Sequence, residues 1–237
     1  MNNLLASLSG LWNSAYFGFC ISIIAYLIGV QLKKKFKFGL LNPLLVSIII
    51  VILFLLVFHI KYESYNQGGK YISYLLTPAT VCLAIPLYQQ LELLKKNFKA
   101  IFIGILSGVL SSLLSVLALS IFFGLSKEMY VTMLPKSITT AIGMGVSEEL
   151  GGITTITVAV IVLSGIIGSV IGEFLCKRFK IQDPISVGLA LGTSAHAIGT
   201  SKALELGEIE GAMSSLSIAV SGLITVLLSP IFANFIK

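Results

Sequence analysis

LPKSITTAIGMGVSEELGGI, residues Leu134–Ile153, interrupts a chain otherwise dominated by long apolar runs. It holds a proline, a lysine, four Ser/Thr hydroxyls, two adjacent carboxylates and four glycines. Backbone of this kind is tolerated at membrane depth only where it is buried in protein or lines a cavity. A second island, GLALGTSAHAIGTSKALEL at Gly188–Leu206, has the same character and carries one of the two histidines. Around the islands, Leu40–His59 and Ala100–Ser126 hold no acidic or basic side chain apart from His59. Each run is long enough to cross ~30 Å of hydrocarbon as a helix, which takes about 20 residues.

The chain of 237 residues is 56% hydrophobic and 11% charged, whereas a soluble domain carries roughly 25% charged residues. There is too little polar surface to cover a water-soluble globule. Continuous apolar runs also exclude a membrane β-barrel, whose strands alternate. The predicted fold is an all-α polytopic membrane protein with six to eight membrane segments, counting discontinuous or re-entrant polar elements. One domain covers residues 1–237, divided into a first half (1–126) and a second half (127–237) that carries both islands, a candidate two-half repeat. The net charge of +6 sits in short clusters at the ends of apolar segments, which signals membrane orientation rather than nucleic acid. Cys20, Cys82 and Cys176 have no CxxC spacing, so no disulfide framework is implied. No basic segment precedes the first apolar run and no Arg/Ser-rich transit segment stands at the start, so the expected location is a bacterial plasma membrane, with no cleaved leader.

Lys33–Lys37, Lys95–Lys99 and Lys177–Lys180 hold ten of the sixteen basic residues. If all three clusters are cytoplasmic, an even number of crossings must separate consecutive clusters. Leu40–His59 and Tyr71–Leu91 supply two, and Ala100–Ser126 and Ile153–Leu175 supply two more. The first island must then enter and leave from the outer face. The amino terminus is expected outside, with Leu4–Trp12 along the interface and a first crossing at Phe17–Leu32. The second island either dips in from the cytoplasmic side or spans as a broken helix, and Gly211–Phe235 crosses last. Pro78 and Pro86 interrupt Tyr71–Leu91, and interrupted segments of this kind build transporter sites.

The chemistry of the islands points to binding. No His/Cys/carboxylate spacing matches a metal site, Ser194-Ala195-His196 is not a nucleophile elbow, and Gly192–Gly199 lacks a Walker lysine. Neither an enzyme nor a cofactor is implied. Thr80, Ser137, Thr139, Thr140, Thr193, Ser194 and Thr200 offer hydroxyls, and helices broken at Pro78, Pro86, Pro135, Gly192 and Gly199 present free N–H groups and positive dipole ends. Lys136 and Lys202 are candidate partners for a small anion. His196, Glu148 and Glu149 are candidate proton carriers. Glu173 and Lys177 read as a surface pair at i, i+4, and Gly104, Gly108, Gly165, Gly168 and Gly172 as helix-packing positions.

With these motifs in view the chain resembles the LrgB/CidB family of bacterial membrane proteins. The likeness is carried by PATVCLAIPLY (Pro78–Tyr88), LPKSITTAIGMGVSEELGG (Leu134–Gly152) and GLALGTSAHAIGTSKALELGEIEGAMSSL (Gly188–Leu216). Many members have an acidic residue where this chain has Gly145, and often arginine where it has Lys202. The resemblance implies two functions. One is a holin-like or antiholin-like regulator of murein hydrolases and lysis, acting with a small LrgA/CidA-type membrane partner. The other is a carrier for small monocarboxylates such as pyruvate or glycolate/glycerate, as in related bacterial and plastid proteins. The carrier reading, proton-coupled and homo-oligomeric, is the one that calls for two polar glycine-rich elements with placed cations.

Overall fold

A computed structural model describes residues 12, 14–36 and 42–236, and the described residues form helices joined by short turns. In order these are α1 (Ala15–Phe36), α2 (Pro43–Val57), α3 (Tyr62–Ser73), α4 (Leu76–Cys82), α5 (Ala84–Gln89), α6 (Leu91–Phe122), α7 (Lys127–Met133), α8 (Thr140–Glu149), α9 (Thr154–Arg178), α10 (Pro184–Leu206) and α11 (Glu208–Phe232). Among the described residues, five segments are long and apolar enough to cross a membrane: Ala15–Phe36, Tyr62–Gln89, Leu91–Phe122, Thr154–Arg178 and Glu208–Phe232. The protein is an all-α multi-pass membrane protein. Contacts divide it into two compact units, residues 1–82 and 83–237, a division well ahead of residue 126, where the sequence reading parts the chain.

In the first unit α1 packs against α2 and α3. Phe17 lies near Phe54, while Gly29 lies against Pro43, so α1 and α2 are antiparallel. Gly18 and Gly68 let the α1 and α3 backbones touch, beside a Ser22–Tyr65 hydroxyl pair at 2.9 Å. The run Leu40–His59 yields a shorter helix than expected. Asn42 caps α2 by accepting from the Leu44 N–H at 2.9 Å, and the helix stops at Val57 before His59 turns to φ 51°. At 1.5 Å per residue α2 is about 22 Å long, below the full hydrocarbon thickness. The crossing expected at Tyr71–Leu91 belongs to the longer segment Tyr62–Gln89, divided into three helices. Pro78 and Pro86 each fall in the first turn of a short helix, where a missing N–H removes no intrahelical bond. The expected interfacial stretch Leu4–Trp12 lies outside the described residues except for Trp12, as does Lys37 of the first basic cluster.

The second unit is built on α6. One stripe of this helix, including Ile101, Ile105, Val109 and Leu113, is buried in a core completed by Tyr130, Leu134, Leu189, Met213 and Phe232. Gly104 faces Leu189 and Gly108 faces Thr193, so α6 and the start of α10 run in the same direction. Gly172 faces Leu191 and Gly168 faces Ala195, so α9 runs the opposite way. Lys95–Lys99 and Lys177–Lys180 consequently share one end of this unit, called the basic end below.

The second island makes a hairpin. Asp183 caps its start, accepting from the Ser186 N–H at 2.9 Å, with Pro184 in the first turn. The first limb runs parallel to α11, because Gly188 meets Glu210 and Met213 while Gly192 meets Ser214 and Ser217. The return limb runs antiparallel to α11: Gly211 meets Leu204, and Thr200 Oγ1 lies 2.7 Å from Ser214 Oγ. The reversal is at His196, with φ 41° and ψ −133°. A Cβ on Gly199 would collide with the Leu191 carbonyl and stand 2.7 Å from the Ala195 Cβ. In a straight helix Leu191 and Gly199 would be about 12 Å apart. Of the two alternatives for this island, the re-entrant one holds. The expectation that Gly192 and Gly199 break the helix is corrected: both glycines permit close packing, and the break is the histidine between them.

Candidate functional site

The first island approaches from the end opposite the basic clusters. Tyr130 on α7 donates to the Phe232 carbonyl at the end of α11, at 2.9 Å. Pro135 lies in the turn between α7 and α8, as its sequence position suggests. The island is held by a buried hydroxyl hub: Thr157 Oγ1 lies 2.7 Å from Ser147 Oγ and 2.9 Å from the Thr132 carbonyl. The Ile153 N–H donates to Thr132 Oγ1 at 2.8 Å. From this anchor the island reaches inward, with Gly143 against Ile161 on α9 and Ser137 Oγ 3.0 Å from Ser112 Oγ on α6.

The hairpin tip arrives at the same depth from the basic end. The His196 ring is buried, and its Nε2 faces the Ile161 carbonyl at 3.0 Å. A carbonyl only accepts, so Nε2 carries the proton. Gly165 makes room for the ring, since a Cβ there would stand 2.7 Å from it. Positive φ at a non-glycine residue costs about 1–3 kcal/mol and persists only where the surroundings over-determine it. Here the carbonyl, Gly165 and the Thr200–Ser214 contact hold both sides of the turn. The two islands therefore meet at Ile161, about 25 Å along α9 from Arg178 at 1.5 Å per residue.

Between them lies a cavity of ≈ 990 Å³, at the upper end of the size range of small-molecule sites, about 300–1,000 Å³. It runs from Asn97 and Asp183 near the basic end to Lys136 and Ser137 at depth, with Thr193 and Ser194 on the hairpin side. Ser107, Ser111, Ser112 and Ser115 of α6 form its other wall. The hydropathy pattern alone does not reveal these serines, because Ala100–Ser126 reads as a plain apolar span. The usable signal is the spacing of Ser107, Ser111 and Ser115 at i, i+4 and i+8, one face of a helix, with Ser112 beside it.

Lys136 is half-buried, and its ammonium donates to Ser137 Oγ at 3.0 Å. No described carboxylate forms an ion pair with it. Asp183, at the cavity mouth, is engaged by the Ser186 N–H and hydroxyl as a helix cap. Among the described lining residues, the cavity thus presents one cation without a carboxylate partner, Lys136, set among hydroxyls at a depth where charge is costly.

The remaining candidates are elsewhere. Lys202 lies near the basic end, where its ammonium is 2.8 Å from Glu173 and 3.5 Å from Glu205. Glu173 also holds Lys177 at 2.6 Å, so the expected surface pair is part of a network that joins α9 to the return limb of α10. Thr200 is consumed by bonds to the His196 carbonyl and Ser214. Thr139 occupies the cap position of α8 without a side-chain cap bond, Thr140 starts that helix, and neither lines the cavity. Glu148 and Glu149 are exposed at the end of α8, away from the cavity. Thr80 belongs to α4, in the other unit. Lys136, Ser137, Thr193 and Ser194 are the candidates brought together.

A multi-pass helical unit with two opposed re-entrant elements defines an integral membrane protein of the all-α class. The chain belongs to the LrgB-like family, whose model matches residues 22–235. It is 42% identical over 222 residues to antiholin-like protein LrgB of Bacillus cereus (strain B4264), covering 93% of this chain and 96% of that protein. The same identity and coverage hold for antiholin-like protein LrgB of Bacillus anthracis (strain CDC 684 / NRRL 3495). No solved structure matches.

Proposed function

We propose that this protein is a secondary carrier for small monocarboxylates such as pyruvate or glycolate, with the carboxylate held by Lys136 and the hydroxyls around it. The observation that carries this reading is the half-buried Lys136 ammonium, which has Ser137 as its partner and faces a cavity large enough for a small organic acid. A buried charge without a counter-ion costs several kcal/mol, and an anionic ligand supplies the missing partner. In this reading the basic end is cytoplasmic and the amino terminus external, as positive clusters dictate. The cavity then opens inward, and a proton accompanies the substrate, with His196 as the carrier nearest the meeting point of the islands. The carrier works as a homo-oligomer beside a small LrgA/CidA-type membrane partner. Lesion formation by a holin needs apolar helices that associate, and makes no demand for a lysine among hydroxyls at depth.

The second reading, antiholin-like control of murein hydrolases and lysis without a transported substrate, is favoured by the names of the relatives. Reconstituted protein, with and without the small partner, separates the two. The carrier reading expects pyruvate or glycolate counterflow that Lys136→Gln abolishes. Dye leakage without counterflow overturns it in favour of the second.

A further inference from the structure

Ser112 emerges from the middle of an apolar spanning helix, where a serine has no obvious packing purpose. It stands between the core stripe of α6 and the row of cavity serines, and its Oγ is 3.0 Å from Ser137 Oγ. Ser137, itself buried, accepts from the Lys136 ammonium at 3.0 Å. A hydroxyl carries one proton and two lone pairs. With one lone pair of Ser137 turned to the ammonium, its own proton is free for a second partner, and Ser112 Oγ stands within hydrogen-bond reach as the acceptor. A chain polarised in this sense, Lys136 to Ser137 to Ser112, strengthens each bond in it. It also fixes the Ser137 rotor, so that a lone pair and not a proton faces the cation.

We infer that Ser112 is a positioning residue: it orients Ser137, and through Ser137 it aims the Lys136 ammonium into the cavity. This rests on the reading of Lys136 as the partner of a carboxylate, but the aiming itself is a property of the unliganded protein. Without Ser112 the Ser137 hydroxyl turns to another acceptor, its lone pair leaves Lys136, and the ammonium samples more orientations. A ligand must then order it on binding. The expected consequence is a KM for carboxylate counterflow raised about three- to tenfold, the scale of one intramolecular hydrogen bond, with maximal rate retained.

Two measurements on the full-length purified protein test this. The first is the rate of acylation of Lys136 by an amine-reactive ester, read by peptide mass spectrometry. Ser112→Ala is expected to raise that rate severalfold, Ser112→Thr to restore it, and Ser112→Ala to have no effect in a Ser137→Ala background, where the intermediary is already gone. Additive effects of Ser112→Ala and Ser137→Ala, or an unchanged rate in Ser112→Ala, overturn the inference whether or not transport is seen. The second is the counterflow KM. If acylation behaves as expected while wild-type protein moves no carboxylate, the positioning role stands and the carrier reading falls. If wild-type protein transports and Ser112→Ala lowers the maximal rate with KM unchanged, the positioning role falls and the carrier reading stands.

Discussion

Gly199→Ala is the sharpest test of the hairpin, because the two geometries for α10 predict opposite signs. In a continuous helix, residue 199 would be about two turns from Leu191, and replacing a mid-helix glycine with alanine would stabilise by about 0.5–1 kcal/mol. In the hairpin the new methyl runs into the Leu191 carbonyl and stands 2.7 Å from the Ala195 Cβ. Neither obstacle is the flexible end of a long side chain, so the limbs themselves must separate. Overpacking of this kind costs about 1–3 kcal/mol. For a chain of this size each kcal/mol lowers Tm by about 2–4 °C, so a fall of about 2–12 °C is expected in thermal unfolding of the detergent-purified protein. An unchanged or raised Tm would refute the folded-back arrangement.

His196→Gly should be more stable than His196→Ala by about 1 kcal/mol or more, because only glycine accepts φ 41° without strain; a regular helix at this position would reverse the order. Thr157→Val strips a donor from the Ser147 and Thr132 oxygens that it faces, and should cost about 1–3 kcal/mol by thermal unfolding, with Thr157→Ser recovering most of the loss. Lys202→Gln breaks the contacts to Glu173 and Glu205 and should cost about 0.2–1 kcal/mol, as a partly exposed pair does. Carboxylate affinity, read by calorimetric titration, should stay at the wild-type value in that variant.

The helical membrane class was legible because long apolar runs and terminal basic clusters depend on local composition alone. The parity of the clusters also led to a re-entrant first island, with Pro135 marking its inner turn, but left the second island between dipping in and spanning as a broken helix. Other features depend on contacts that no local pattern encodes. Glycines at 192 and 199 looked like helix breakers, whereas the reversal uses His196, a residue that carries no turn signal and is held by Ile161 from α9. Lys202 and Lys136 looked equivalent as cations in matching islands. Glu173, distant in sequence, neutralises the first and leaves the second facing the cavity. The α6 serines were concealed in a run apolar enough to span, since one polar face of a helix hardly alters its mean hydropathy. Leu40–His59 was long enough to cross, but Asn42 and His59 set tighter limits on the helix than composition did.

Calorimetric titration of the purified protein with a panel of short monocarboxylates, wild type against Lys136→Gln, addresses the cationic cavity most directly. Saturable binding of at least one acid to the wild type, lost in Lys136→Gln and kept in Lys202→Gln, is the predicted result. Equal binding by wild type and Lys136→Gln, or binding that disappears only with Lys202, would contradict it.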